Sequence, residues 1–432
     1  MSRKKLGFWT SSSLVIGNMI GSGVFLLPAS LASFGSISLL GWLISAVGAA
    51  SMAFVFIELS KLLPASSGGP YRYSRSGLGD FAGFLVAWGY WVSIWCTNAA
   101  IAVALVSYLG VFFPAINSNM LLSVSVGLGI VWTVVWINTR GVREAGIFQL
   151  VTSILKITPL IAIGTIGLFF IRFENFFPVN ISGLSSLEAI TTTATLTFFA
   201  YMGLESATIP AADVEKPEKT IPRATYFGLI VTALVYILGT VALLGIIPAQ
   251  ELQYSTAPFA DAAALMWGPW AKNFVAVGAI ISTLGALNGW ILVQGQIPAA
   301  IAKDRLFPPI FGKENKQGVP ALGIVLSSIL ISILMAMNYS KGLVKAFEFM
   351  LLLASMTALI AYLFTAASYV VISIQKQGFA KGVGLRLTVA IVAFVFALWA
   401  IAGSGMEIVY WGFILLILGL PIYVWMLVKK IR

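Results

Sequence analysis

Long apolar segments separated by short polar ones run along the whole chain. A helix that crosses a bilayer needs about 20 largely apolar residues, and charges, prolines and glycine clusters divide the chain into twelve such segments. They lie at roughly 9–33, 37–62, 81–111, 120–138, 147–171, 188–210, 225–247, 272–302, 320–337, 344–373, 386–402 and 408–428. The pattern predicts an all-α integral membrane protein with 12 transmembrane helices.

Two of the predicted helices, the first and the sixth, are interrupted by glycines and polar residues. The interruptions read IGNMIGSGVF at 16–25 and TFFAYMGLESA at 197–207. Within a bilayer, non-helical backbone is tolerated only where it is buried in protein or lines a polar cavity. Paired interruptions at corresponding positions of two halves indicate an inverted-repeat transporter with its substrate site at mid-membrane. The alternative is that these small residues only allow close helix packing.

The backbone groups freed at these breaks suggest what binds there. Unwinding at Gly21–Gly23 would expose N–H groups at the start of a half-helix, where the helix dipole also favours an anion such as a carboxylate. The carbonyls freed in the first half-helix and around Gly203 suit an ammonium group. A site that offers both is shaped for an α-amino acid.

Composition supports a membrane protein and excludes several kinds of chemistry. Hydrophobic residues make up 59% of the 432 residues and charged residues 9%, whereas soluble proteins have about 25% charged residues. The chain has no histidine and one cysteine, Cys96, so histidine-based nucleophilic catalysis, histidine–zinc motifs and an internal disulfide framework are excluded. We therefore expect no enzyme activity, no metal site and no cofactor.

Lysine and arginine are concentrated in alternate loops. If the N-terminus is cytoplasmic, 21 of the 26 basic residues lie in cytoplasmic segments, as the positive-inside rule requires. We attribute the net charge of +11 to this topology and not to nucleic-acid binding. The expected protein is a multi-pass bacterial inner membrane protein, given its short tails, with both termini cytoplasmic.

Four stretches of the sequence resemble one transporter family. They are GNMIGSGVFLLPASLA at 17–32, GGPYRYSRSGLG at 68–79, FFAYMGLESATIPAADVEKPEKTIPRA at 198–224 and AIAKDRLFPPIFGKENKQGVP at 300–320. The chain resembles the amino acid–polyamine–organocation (APC) superfamily, and most of all its bacterial basic amino acid/polyamine antiporters. The resemblance implies a single LeuT-like transporter domain over 1–432 that works by alternating access. It has a five-plus-five inverted repeat (about 9–171 and 188–373) with discontinuous helices 1 and 6, followed by two extra helices (about 386–428).

The resemblance also implies a set of site residues. The carboxylate-binding loop falls on Ser22 and Gly23, an aromatic lid on Trp290, and an inner gate on Tyr71. Phe199 replaces the tryptophan that such antiporters carry, which weakens recognition of a cation. The complete expected substrate site is Asn18, Ile20, Gly21, Ser22, Gly23, Ser93, Ile94, Asn98, Ile101, Phe199, Gly203 and Trp290.

Two ionisable residues, Lys156 and Glu205, lie deep in predicted helices, where charges are costly and usually functional. Lys156 resembles the lysine that takes the place of a sodium ion in proton-coupled members of the superfamily. Glu205 has two interpretations, either a proton-sensitive coupling carboxyl or a neutral carboxyl that hydrogen-bonds neighbouring helices. Glu58 and Glu348 lie nearer helix ends, and we expect them to be solvated.

Three functions fit the sequence to different degrees. The first is an antiporter or proton-coupled carrier of basic amino acids or polyamines. The second is a carrier or exporter of neutral amino acids, favoured by Phe199, Ile94 and Ile101, which leave few groups to bind a distal cation. A non-transport membrane protein such as a membrane enzyme is disfavoured by the missing histidines. The expected partners are a small-molecule amino acid or polyamine, protons and membrane lipids, and a homodimer is left open.

We predict that transport does not require sodium and depends on Lys156. Its position about ten residues into a predicted helix, some 15 Å from the helix start, makes snorkelling to an interface awkward. Lys156→Ala should lose most turnover, and Lys156→Arg should keep little because a guanidinium is larger and does not deprotonate. Uptake into proteoliposomes in sodium and in choline buffers measures this. Full activity of Lys156→Ala, or uptake that requires sodium, would contradict the prediction.

Overall fold

The computed structural model describes residues 6–21, 25–63, 69–140, 158–208, 214–378 and 383–431. Within these ranges the regular structure is helical, apart from one isolated parallel bridge between Leu6 and Val214. The main helices are α1 (Phe8–Met19), α2 (Leu27–Ala32), α3 (Ser38–Leu62), α4 (Pro70–Leu78), α5 (Asp80–Leu109), α6 (Met120–Thr139), α7 (Thr158–Phe170), α8 (Ser186–Phe198), α9 (Pro217–Ile246), α10 (Pro258–Trp267), α11 (Pro269–Lys303), α12 (Ala321–Asn338), α13 (Leu343–Gln377), α14 (Val383–Gly403), α15 (Met406–Ile417) and α16 (Leu420–Ile431).

Short helical turns complete the described structure. Two are α-helical, Ala115–Ser118 and Ala249–Leu252. The 3-10 turns are Gly167–Phe170, which ends α7, and Phe173–Phe176, Phe199–Tyr201, Pro309–Gly312 and Tyr339–Lys341.

Nine helical segments of the described residues are long and apolar enough to cross a bilayer. They comprise α3, α5, α6, α9, α11, α12 with its 3-10 extension, α13, α14, and α15 with α16. The all-helical membrane architecture predicted from the hydropathy pattern is therefore confirmed. Three predicted segments do not form one long helix within the described residues: 9–33 and 188–210 are broken, and 147–171 contributes only α7.

The breaks occur where the glycines and polar residues predicted them. The first helix, α1, ends at Met19, and helical structure resumes at α2 with Pro28 in its first turn, a position that tolerates proline. The other broken helix, α8, begins with a capping box between Ser185 and Glu188 and ends in a 3-10 turn and a run of turns. Each broken segment therefore ends near the middle of its predicted span.

Helices α5 and α13 form the centre of the molecule, and α5 is buried along most of its length. Around them, α3 packs on α8 and α1 packs on α9, each through a glycine. The Cα of Gly41 faces the backbone of Thr193, and Gly228 faces Val15. Lipid is as apolar as the helices, so the hydrophobic effect does not drive their association. Close van der Waals contact at small residues supplies packing energy instead.

Four attachments hold α1 to α9 along its length. The backbone N–H of Glu215 donates to Leu6 O at 2.9 Å just before the two helices begin. The rings of Phe8 and Phe227 lie 5.7 Å apart, and Val15, about two turns further along α1, packs on Gly228. At the end of α1, the hydroxyl of Tyr236 donates to the carbonyl of Met19 at 2.8 Å.

We predict that Gly41→Ala destabilises the protein. A Cβ at Gly41 would lie 2.6 Å from Thr193 Oγ1 and 2.7 Å from the Thr193 carbonyl carbon, so α3 and α8 must move apart, at a cost of about 1–3 kcal/mol. The matched control is Gly278→Ala on α11, where a Cβ meets nothing within 4 Å and alanine improves helix propensity. Thermal unfolding in detergent measures both, and equal melting temperatures for the two variants would contradict the prediction.

Candidate functional site

The two broken helices meet each other at their breaks. The side-chain amide of Asn18, at the end of α1, donates to Ser206 Oγ at 2.8 Å. Gly203 has φ +98°, and a Cβ there would lie 3.2 Å from the Asn18 Cβ. Two features therefore require glycine at position 203: its left-handed backbone conformation and the close approach of the other broken helix.

A narrow cavity of about 30 Å³ adjoins this contact. It lies between the end of α1, one face of α5, the unwound segment after α8, and α11. It has room for only a few water molecules, so the surrounding side chains must separate to admit an amino acid. Its lining residues are Asn18, Met19, Gly21, Tyr90, Ser93, Ile94, Thr97, Ile101, Phe199, Ala200, Met202, Gly203, Glu205 and Trp290.

Most of the residues expected in the substrate site lie together around this cavity. Eight of the twelve line it, and Glu205 lines it as well. Ser22 and Gly23 lie outside the described residues, as does Lys156. Their expected roles stay predictions.

Two of the expected residues do not line the cavity. The Ile20 side chain is fully buried in the apolar core. Asn98 turns its amide away from the cavity, because its Nδ2 donates to Gln294 Oε1 at 2.7 Å. On α5 the neighbouring Thr97 lines the cavity instead.

The sequence reasoning missed five lining residues, of which Tyr90 and Thr97 could have been found. On a helix, residues three and four apart share a face, and 90, 93, 94, 97 and 101 form such a series on α5. Met19 ends α1, and Ala200 and Met202 lie in or just after the 3-10 turn that follows α8, where regular helical spacing gives no guide.

Some of the backbone groups freed at the first break have partners within the protein. The Met19 carbonyl accepts from the Tyr236 hydroxyl and from the N–H of Gly21, both at 2.8 Å. Tyr236 thus replaces the intrahelical bond that Met19 loses where α1 ends. No sequence pattern pointed to this residue, a tyrosine in the middle of a long apolar helix.

Glu205 is completely buried and bridges two helices through tyrosines. Its Oε1 accepts from the Tyr90 hydroxyl of α5, and its Oε2 accepts from the Tyr362 hydroxyl of α13, both at 2.6 Å. Both oxygens therefore have hydrogen-bond partners, as a buried polar group requires, and the broken segment is tied to the two central helices.

Tyr71 lies outside the cavity, in a polar cluster between α4 and the end of α11. Its hydroxyl donates to Asp304 Oδ2 at 2.8 Å, and Arg72 Nε lies 3.6 Å from the same oxygen. Arg75 donates to the Asp304 carbonyl at 3.3 Å and to Asp80 at 2.8 Å. Burial and the neighbouring Asp304 carboxylate raise the pKa of Tyr71 above its usual range, so this hydroxyl keeps its proton at physiological pH.

The expectation that Glu58 is solvated is wrong. Its side chain is 8% exposed and forms ion pairs with Lys61 at 2.6 Å and with Arg386 of α14 at 3.4 Å. Glu348 retains only 14% of its side-chain exposure, beside Lys345. Glu58 therefore joins α3 to α14 at the ends of these helices.

Comparisons with known proteins match nearly the whole chain. The family model described as amino acid permease matches residues 6–426. An arginine/ornithine antiporter of Pseudomonas aeruginosa is 31% identical over 423 residues, which cover 94% of this chain and 87% of that protein. A cadaverine/lysine antiporter of Escherichia coli is 31% identical over 399 residues, which cover 91% and 88%.

A solved structure shows that the fold is also shared more widely. An outward-open, substrate-bound Na+-coupled sialic acid symporter superposes with a TM-score of 0.56 at 13% identity, covering 93% of this chain and 92% of the other. The likeness concerns the fold alone at this identity. The family match extends over nearly the whole sequence and confirms the resemblance seen in its motifs. The chain belongs to the amino acid permease family, whose members are membrane transporters and not enzymes.

Proposed function

We propose that this chain is a secondary antiporter that exchanges basic amino acids with one another or with diamines, across a bacterial inner membrane. The observation that carries the proposal is the cavity at the meeting point of two broken helices, one of them containing the buried Glu205. Two relatives that align over nearly the whole chain exchange arginine with ornithine and cadaverine with lysine. Both termini are cytoplasmic in this proposal, as the distribution of lysine and arginine indicates.

The proposed architecture is twelve spans with a five-plus-five inverted repeat in one domain. In such a repeat the first and sixth spans correspond, as do the second and seventh. The structure pairs α1 with α9, the first span with the seventh, and α3 with α8, the second with the sixth. This exchange of partners is what a two-fold relation between the halves predicts. Two extra helices, α14 and the α15–α16 pair, follow the repeats.

The proposed substrate lies with its α-amino acid group at the breaks. Its carboxylate binds the backbone N–H groups of Ser22 and Gly23, since the N–H of Gly21 is bonded to Met19, and its ammonium binds carbonyls freed in the broken helices. Trp290 covers the substrate from the outer side, since an aromatic face attracts a cation. The wall formed by Ile94 and Ile101 then contacts the aliphatic part of the substrate side chain.

A carrier of neutral amino acids is the second candidate, and one observation favours it. Among the described residues that line the cavity, Glu205 is the only acidic one, and both its oxygens already accept from tyrosines. A basic side chain would have to compete with Tyr90 or Tyr362 for that carboxylate. A neutral side chain would need only the apolar wall.

In this proposal Glu205 couples substrate to protons. Protonation would remove its charge and turn one oxygen into an O–H donor, so that the tyrosine bond to that oxygen would weaken or reverse. That would loosen the unwound segment from α5 or α13, the two helices that hold it. Tyr71, bonded to Asp304, closes the path on the cytoplasmic side.

We predict exchange and not uniport. Proteoliposomes loaded with arginine, ornithine, lysine or cadaverine should take up labelled arginine from sodium-free buffer, whereas empty vesicles should take up little. Vesicles loaded with leucine serve as the matched neutral control. Equal uptake into empty vesicles would contradict antiport. Uptake of labelled leucine into leucine-loaded vesicles, with no uptake of labelled arginine, would select the neutral carrier instead.

We also predict that Glu205→Gln abolishes the pH dependence of exchange. Glutamine keeps the shape and one acceptor oxygen, but its amide cannot gain or lose a proton in the physiological range. Initial exchange rates from acidic to slightly alkaline pH measure this. The control is Glu188→Gln on the same broken helix, where the carboxylate is exposed and only caps the first turn. A Glu205→Gln variant with the wild-type pH profile would rule out the coupling role.

A further inference from the structure

Gln294 lies one turn along α11 from Trp290 and is completely buried. Its Oε1 accepts from Asn98 Nδ2 at 2.7 Å, and its Nε2 donates to Ser328 Oγ at 2.8 Å and to the Ile324 carbonyl at 3.2 Å. Both amide hydrogens of Gln294 are therefore used. One side chain thus connects α11 to α5 on one side and to α12 on the other.

The contact with Asn98 is made directly behind the cavity wall. Asn98 lies between Ile94 and Ile101 on α5, and both of these isoleucines line the cavity while Asn98 does not. Its Oδ1 has no hydrogen-bond partner among the described residues and is inaccessible to solvent. The bond to Gln294 is thus the side-chain hydrogen bond that fixes the rotation of the Asn98 amide away from the cavity.

Two consequences follow for the shape of the substrate site. The bond fixes α5 against α11 within one turn of Ile94, Ile101 and Trp290, and so sets the width between the isoleucine wall and the tryptophan. It also keeps the polar amide of Asn98 out of that wall, which remains aliphatic. Both effects concern the region where the substrate side chain, and not its α-amino acid group, would lie.

We propose that Gln294 is a specificity-determining positioning residue, which acts through Asn98 and Trp290 to fix the length and polarity of side chain that the cavity accepts. The inference rests on the proposed transport of amino acids. It assigns selectivity to a residue that touches no substrate. Each polar atom of the Gln294 side chain has a hydrogen-bond partner within the protein. We therefore assign Gln294 a positioning role and not direct contact with substrate.

The test compares ligand selectivity in Gln294→Leu with wild type. Leucine fills similar space but makes no hydrogen bond, so Asn98 is released and the wall can widen. Affinities for ornithine, lysine and arginine, which differ in length and head group, are measured on purified protein by competition. We expect the ratio of arginine to ornithine affinity to change by about three- to tenfold, the effect of one lost hydrogen bond at a buried site. The double variant Asn98→Leu/Gln294→Leu also removes the released Asn98 amide. Its ratio of arginine to ornithine affinity should still differ from the wild-type ratio.

The control is Ser327→Ala, which removes the bond that Ser327 Oγ accepts from Trp91 Nε1 at 2.9 Å. That bond also joins α5 to α12, but Trp91 does not line the cavity, so the affinity ratio should stay at the wild-type value even if the melting temperature falls. A wild-type ratio in Gln294→Leu, or in the double variant if the single one does not fold, would overturn the inference. If wild-type protein binds none of the three ligands, the proposed function fails. If wild-type protein binds them but the ratio does not change in the variants, only this inference fails.

Discussion

The unmet backbone groups at two helix breaks are the constraint on which this structure depends. A bilayer offers no water to the N–H and C=O groups of an unwound segment, and each one left unpaired costs several kcal/mol. The protein meets part of this demand with a side chain, because the Tyr236 hydroxyl bonds to the Met19 carbonyl. Polar side chains also join the two breaks to each other and to their neighbours: Asn18 bonds to Ser206 across the contact, and two tyrosines hold Glu205. The same arrangement leaves the cavity in which we propose that the substrate binds.

The buried polar side chains divide into two groups with different tasks. Those at the breaks hold the broken segments in place: Tyr236 replaces a bond that the Met19 carbonyl has lost, and Glu205 ties its segment to α5 and α13. Those between unbroken helices, such as Gln294 and Asn98, hold rigid elements in register behind the cavity. A transporter needs both, because a segment that changes its contacts during transport must move against helices that keep theirs.

The fold was largely predictable from the sequence, whereas the polar contacts within it were not. Hydropathy located the helices, and glycine clusters located the breaks, since both are local properties of the chain. Tyr362 and Gln294 could not be found in this way, because each owes its role to a residue more than a hundred positions away. Asn98 was expected in the cavity wall and Thr97 was not. The two differ by a single step of about 100° around α5, and no pattern in one sequence fixes that rotation. Glu58 shows the same limit: its place near a helix end indicated solvent, but Arg386 of α14 covers it.

The four attachments between α1 and α9 join these two helices into one unit. A hydroxyl bond at Met19, a methyl–glycine contact at Val15, a ring pair at Phe8 and a main-chain bond at Leu6 lie at successive heights along α1. Sliding one helix past the other would break all four together, whereas tilting the pair as one body would break none. A tilt of the pair as one body would therefore move Met19 at the cavity and Leu6, some 20 Å away at 1.5 Å per residue, together.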